Sequence, residues 1–140
     1  MRTFKPYSAL ALASGGLFLT AMGVYFMLIR PPLLQEDLRY IGTNPEKVNA
    51  GIPGLTGWLQ KVFLVLGGYI FTTGILTAFI AFTSFRKRIP WAFEIVVFTG
   101  MSSIGLMTVV NFMIVSDFRW VLLTFTMLWV IALILYRLHK

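Results

Sequence analysis

The sequence predicts an all-α membrane protein: a four-transmembrane-helix antiparallel bundle, one integral membrane domain over residues 1–140, with a short helical outer loop between helices one and two. Three observations predict it. Hydrophobic residues make up 58 % of the chain and charged residues only 12 %, against about 25 % charged in an average soluble domain. The apolar residues fall into four runs, each near the roughly 20 residues that a helix needs to cross the hydrocarbon. Basic clusters and prolines separate the runs, as at Arg30-Pro31-Pro32 and Arg86-Lys87-Arg88. A soluble fold of this size would leave apolar patches in water, where they drive aggregation. The runs are too continuously apolar for a barrel, whose strands alternate over about 10 residues, and lipid admits no other backbone-satisfied form than helix or closed barrel.

The first span is expected over residues 7–29. It follows Arg2 and Lys5, as a signal peptide would, but its length exceeds the roughly 7–15 apolar residues of a cleaved signal, so a retained helix is expected. Arg30, Pro31 and Pro32 stop it, because proline lacks an N–H and disfavours helix in the residue before it. The second span is expected over 59–85 and the third over 90–115, where Pro90 suits a first helical turn. The fourth, over 120–136, is the shortest, and snorkelling of Arg119 and Arg137 lengthens it. Between spans one and two, prolines, glycines and asparagines break the chain into two short helices, 33–41 and 45–49, the second with Asn44 as N-cap and Pro45 at its first position. The apolar side chains among Leu33–Ile41 suggest a cap lying on the outer surface.

The net charge of +7 is distributed at the ends of the spans and forms no continuous stripe. Attraction to acidic headgroups explains it better than nucleic acid, which is not an expected partner. With four spans, Arg2, Lys5, Arg86, Lys87, Arg88, Arg137 and Lys140 share one side; Arg30, Arg39, Lys47, Lys61 and Arg119 share the other. The first set lies in short flanks, where the positive-inside rule has most force, so both termini are expected in the cytoplasm. Trp58 and Trp120 then form the outer aromatic belt, and Tyr7, Trp91 and Tyr136 the inner one. The short turns at 86–89 and 116–119 make spans two and three, and three and four, antiparallel neighbours.

Helices in lipid associate through small residues that let backbones approach. Span one carries Ala9, Ala13, Gly16, Thr20 and Gly23 along one stripe. Span two carries Gln60, Gly67, Gly74, Ala78 and Ala81 on one face, and span three Gly105 and Thr108, aligned with Glu94 within about 60° at 3.6 residues per turn. The packing positions are therefore Gly16, Gly23, Gly67, Gly74 and Gly105, with spans one to three as the tight centre and span four more exposed to lipid. Such a stripe serves internal packing first; a dimer face or the docking face of a larger partner would look the same.

Few residues invite chemistry. Glu94 is the only acid inside an expected span, and intramembrane ionisable groups are functional candidates by default. Its place one turn into span three, near Arg86–Arg88, also fits an interfacial ion pair and a favourable helix-dipole position. Asn111 suits a hydrogen bond to another helix or interfacial water, and Gln60 is similar. Asp117 and Arg119 suit a local ion pair in the tight turn. Glu36, Asp37 and Arg39 form the densest polar group, and they suit a solvated loop helix, a docking surface, or a cation or headgroup site. Adjacent residues on a helix do not face each other, so Glu36 and Asp37 make a poor acid–base pair. The single histidine, His139, and the lack of cysteine leave no ligand set for haem, iron–sulfur or structural zinc. No phosphate-binding glycine loop and no nucleophile elbow occur. No enzyme activity, cofactor or metal is expected.

The stretch Pro32-Leu33-Leu34-Gln35-Glu36-Asp37-Leu38-Arg39-Tyr40-Ile41-Gly42 resembles the outer loop of small four-span membrane proteins of proteobacteria that have no assigned activity. Val110-Asn111-Phe112 and Ser116-Asp117-Phe118-Arg119-Trp120 resemble them too. The resemblance implies a bacterial inner membrane. Small multidrug transporters also have four short spans, but an acid in mid-helix one is their hallmark and this first span has none. The expected function is a non-enzymatic accessory or interaction subunit, with membrane lipids and a larger membrane complex or a second copy as partners. A small oligomeric transporter using Glu94 as a proton or cation site is the alternative, and an outer-surface lipid- or ligand-binding protein a third.

Overall fold

The computed structural model describes residues 5–138, with side chains from Tyr7 onward. Arg2, His139, Lys140 and the side chain of Lys5 lie outside the described residues. Among the described residues seven α-helices succeed one another: α1 (Lys5–Leu28), α2 (Gln35–Ile41), α3 (Pro45–Gly51), α4 (Leu55–Ile80), α5 (Ala92–Gly100), α6 (Leu106–Met113) and α7 (Arg119–Leu138). A π-helical turn, Ala81–Phe85, prolongs α4, and a second, Met101–Gly105, joins α5 to α6 into one span. Four apolar helices long enough to cross a membrane result: Tyr7–Leu28, Leu55–Phe85, Ala92–Met113 and Arg119–Leu138. Among the described residues no strand occurs, and the fold is the all-α four-helix bundle that the sequence predicts. Span two begins four residues before the expected boundary at 59, at Leu55, after Gly54, whose φ of +149° only glycine adopts easily.

The two loop helices form. Pro45 starts α3, and Asn44 Oδ1 accepts a hydrogen bond from Lys47 N at 2.9 Å, the expected cap. The helix α2 starts at Gln35, two residues later than expected, and ends at Gly42 in the left-handed conformation. Its Glu36 and Leu38 are buried, while Tyr40 and Ile41 remain exposed, so it covers the bundle with one face only.

The core is built on α1. It packs along its length against α4 and also against α7. The contact with α4 is backbone to backbone. A Cβ on Gly67 would stand 2.7 Å from Met27 Cγ and 2.8 Å from Met27 N, and one on Gly16 would stand 2.7 Å from Ala78 N. Cβ atoms on Gly23 and Gly74 would collide with the backbones of Phe71 and Thr20. Four of the five expected packing glycines thus meet in this one interface. The stripe serves the chain's own fold.

Two expectations are corrected. Gly105 is not an interhelical packing position. A Cβ there would meet only its own span, at Gly100 O, 3.0 Å away. The reason is the π-turn at Met101–Gly105, which holds an extra residue and rotates the rest of the span by roughly 100°. Glu94, Gly105 and Thr108 therefore do not share a face: Glu94 is exposed, and Thr108 is buried with its Oγ1 2.7 Å from Thr126 Oγ1 on α7. The second correction concerns the centre of the bundle. Span three packs on α7, whereas α4 meets it mainly beside the 86–89 turn. Span four therefore links α1 to span three within the bundle, although it is no more buried than span two. Gly100, not Gly105, is the close-approach glycine of span three. It lies against the indole of Trp129, whose Nε1 donates to Val96 O at 3.1 Å. Trp129 is 2 % exposed, and no glycine-sized gap would remain if Gly100 carried a side chain.

Candidate functional site

Three places gather polar side chains or open space. The first is the end of the bundle opposite the described termini, where α2 is clasped to the turn between α6 and α7. Glu36 is 5 % exposed and accepts hydrogen bonds from Ser116 Oγ and from Asp117 N, each at 2.8 Å. Ser116 Oγ in turn accepts from Phe118 N at 3.1 Å. Asp37 accepts from Leu34 N and from Arg30 Nη2, both at 2.8 Å, which caps α2 and ties it to the end of α1. The Arg30 guanidinium lies over the Phe63 ring, 3.7 Å from its centroid, and so reaches span two as well. Arg39 donates to Val115 O and to Asp117 Oδ1, each at 3.2 Å.

Glu36, Asp37 and Arg39 are therefore not a solvated group with free valence. Glu36 and Asp37 are engaged within the chain; only the Arg39–Asp117 pair is well exposed. The local pair expected between Asp117 and Arg119 does not form. Asp117 turns to Arg39 instead, and Arg119 donates to Ser116 O at 3.2 Å. The positive φ of Val115, +55°, belongs to this turn, where backbone N–H groups converge on Glu36 and Ser116.

The second place is a groove between α4 and the α5–α6 span, about 400 Å³ in volume. Leu19 and Phe26 of α1 form its floor; Leu66, Tyr69, Ile70 and Thr73 line one wall; Ser102, Ser103, Leu106, Met107, Val110 and Asn111 line the other. It exists because the two spans are joined at one end and packed onto different partners thereafter. Asn111 faces this groove, but its Nδ2 donates to Met107 O of its own helix at 2.8 Å, so the expected bond to another helix is not made. Tyr69 is 71 % exposed near the middle of the 31-residue second span. Its hydroxyl has no hydrogen bond among the described residues. Gln60 is exposed at the far end of the same span.

The third place is at the end where α1 begins and α7 ends. Arg88, Trp91, Phe93, Glu94, Tyr136 and Arg137 line a cavity of about 310 Å³. Arg88 Nη2 donates to Tyr136 O at 2.7 Å, and its guanidinium lies 4.5 Å from the Tyr136 ring centroid. Arg137 lies 4.3 Å from the Phe93 centroid. Tyr136 is half-buried between Phe85, 4.4 Å away, and Phe93, 5.4 Å away. Tyr7 and Trp91 at this end, and Trp58 and Trp120 at the other, are exposed. Glu94 forms no ion pair among the described residues. It sits at the mouth of the cavity and not inside the bundle.

Sequence reasoning missed Ser116, Arg30, Gly100 and Trp129. A tryptophan in mid-span, away from both belts, was the available signal for the last. In comparisons with known proteins, no family model, no curated protein and no solved structure matches this chain.

Proposed function

We propose that this is a non-enzymatic membrane protein of a bacterial inner membrane, with both termini in the cytoplasm, which serves as an accessory subunit by receiving a transmembrane helix of a partner in the groove between its second and third spans. The lateral groove is the observation that carries the reading. Two spans that are neighbours in sequence stand apart, and the gap between them is apolar with a few hydroxyl and amide groups on its walls. Helices in lipid associate by such close packing, helped by occasional hydrogen bonds. A partner helix that presents a polar side chain near mid-membrane would satisfy the Tyr69 hydroxyl. The small-residue stripes are consumed within the chain, so they offer nothing to a partner, and the groove replaces them as the docking face. The basic Arg86 and Lys87, both exposed at the end holding the described termini, support the orientation.

A photo-crosslinking residue placed at Tyr69 and activated in native membranes tests the reading. A discrete protein adduct is expected there, and none from Ile134, an exposed position on α7. Adducts to lipid alone at Tyr69 would overturn the proposal, since an acyl chain would then fill the groove. Transport coupled through Glu94 has no matching observation, because that carboxylate lies outside the bundle. A ligand site at Glu36, Asp37 and Arg39 has none either, as their partners are internal.

A further inference from the structure

We propose that the cavity beside Glu94 is a binding site for a phospholipid whose headgroup carries both a phosphate and a primary ammonium, the chemistry of phosphatidylethanolamine. Two guanidiniums and one carboxylate line the same cavity of about 310 Å³: Arg88, Arg137 and Glu94. Arg88 uses Nη2 on the Tyr136 carbonyl, which fixes the guanidinium while leaving its other N–H groups unengaged. Arg137 is held by stacking over Phe93 and makes no hydrogen bond among the described residues. A guanidinium offers five donors in a planar fork suited to phosphate oxygens, and charge-assisted bonds of this kind are about twice as strong as neutral ones. Glu94, free of any ion pair among the described residues, supplies the opposite charge at the same mouth.

The combination selects among headgroups. A phosphate alone would leave the carboxylate as a repulsive neighbour. A phosphate tethered to an ammonium satisfies both signs at once. A quaternary ammonium cannot donate a hydrogen bond to Glu94. It would instead need open aromatic faces; guanidiniums already lie over Tyr136 and Phe93, which leaves Trp91 alone for it, with no hydrogen bond to the carboxylate. The apolar part of the lining, Trp91 with Phe93, is where the glycerol region of a lipid would rest, and the location at a span end next to an exposed tryptophan is the headgroup level of a bilayer. The source of the phosphate is thus a lipid and not a free phosphate.

The test is native mass spectrometry of the full chain, delipidated in detergent and offered equal amounts of phosphatidylethanolamine, phosphatidylcholine and phosphatidylglycerol with identical acyl chains. Phosphatidylethanolamine adducts are expected to dominate by about tenfold, the size of one charged hydrogen bond. Glu94→Gln is expected to bring phosphatidylethanolamine down to the level of phosphatidylcholine, and Arg137→Ala to weaken all three. Both side chains are exposed and without hydrogen bonds among the described residues, so neither change disturbs the fold, and an unchanged thermal melt checks this. Equal retention of the three lipids by the unmodified chain would overturn the proposal. So would a preference that survives Glu94→Gln. Displacement of the bound lipid by millimolar glycerophosphoethanolamine, which has no acyl chains, would assign the site to a soluble phosphate and overturn its assignment to lipid.

Discussion

Glu36 accepts from two donors that have no other partner among the described residues, the buried Ser116 Oγ and the part-buried Asp117 N. Removing an acceptor of this kind costs about 1.5–3 kcal/mol, because the bonds are to a charged group and the donors cannot all reach water. Glu36→Ala is therefore expected to lower the thermal stability of the detergent-solubilised protein clearly, and Ser116→Ala by less, about 1 kcal/mol. Neutralising Arg39 or Asp117, a pair with side chains 55 % and 69 % exposed, is expected to leave the melt nearly unchanged, as exposed pairs contribute little. Thermal unfolding of the four variants side by side checks the order. None of this was legible in the sequence. The pattern Glu36-Asp37-Leu38-Arg39 reads as an amphipathic loop helix, and the serine that matters is 80 residues away. Local spacing carries no information about such a partner. The N-cap at Asn44, by contrast, was legible because its partner, Lys47 N, lies only three residues away.

At the scale of helices, the contact between α1 and α4 was largely readable. Lipid gives apolar helices no reason to hide large side chains from it, so small residues at heptad spacing mark where backbones meet. Adjacent glycines provide the sharpest check. A Cβ on Gly67 meets Met27 and Gly23, whereas one on Gly68 meets nothing within 4 Å. Gly67→Leu is expected to abolish the folded bundle, read as loss of a cooperative melt and of the monodisperse detergent-solubilised species. Gly68→Leu should fold as the parent does. Span three was misread because the phase of a helix survives only while the helix is α. The turn at Met101–Gly105 breaks it, and no residue in Met-Ser-Ser-Ile-Gly announces a π-turn. On the far side of that turn, the bond from Trp129 Nε1 to Val96 O holds α7 to α5. Trp129→Phe is expected to cost about 1 kcal/mol, the loss of one neutral buried hydrogen bond, in the same melt assay.

For the whole molecule, the number of spans and their alternating direction derive from hydropathy and loop length, and both were legible. Which spans touch was legible only in part: spans three and four pack as the short turn between them requires, whereas spans two and three do not. A short loop fixes the neighbouring ends of two helices and leaves their far ends free, so spans two and three diverge despite the tight 86–89 turn. The bundle is in effect an open ring in which α4 packs on α1, α1 on α7 and α7 on the α5–α6 span, with the groove as the gap between α4 and the α5–α6 span. Hydrogen exchange is expected to reflect this. Amides of α1, which packs on both α4 and α7, should exchange last among the spans, and those of α4 and of α5 and α6, each backed on one side only, should exchange earlier; uniform protection would contradict the arrangement. The same arrangement has a consequence for biosynthesis. The first two spans to leave the ribosome are mutual partners and close into a hairpin at once. The third finds its own partner only when the fourth emerges, so for the interval between them it is an orphan in the bilayer, the moment at which an insertion chaperone has something to hold.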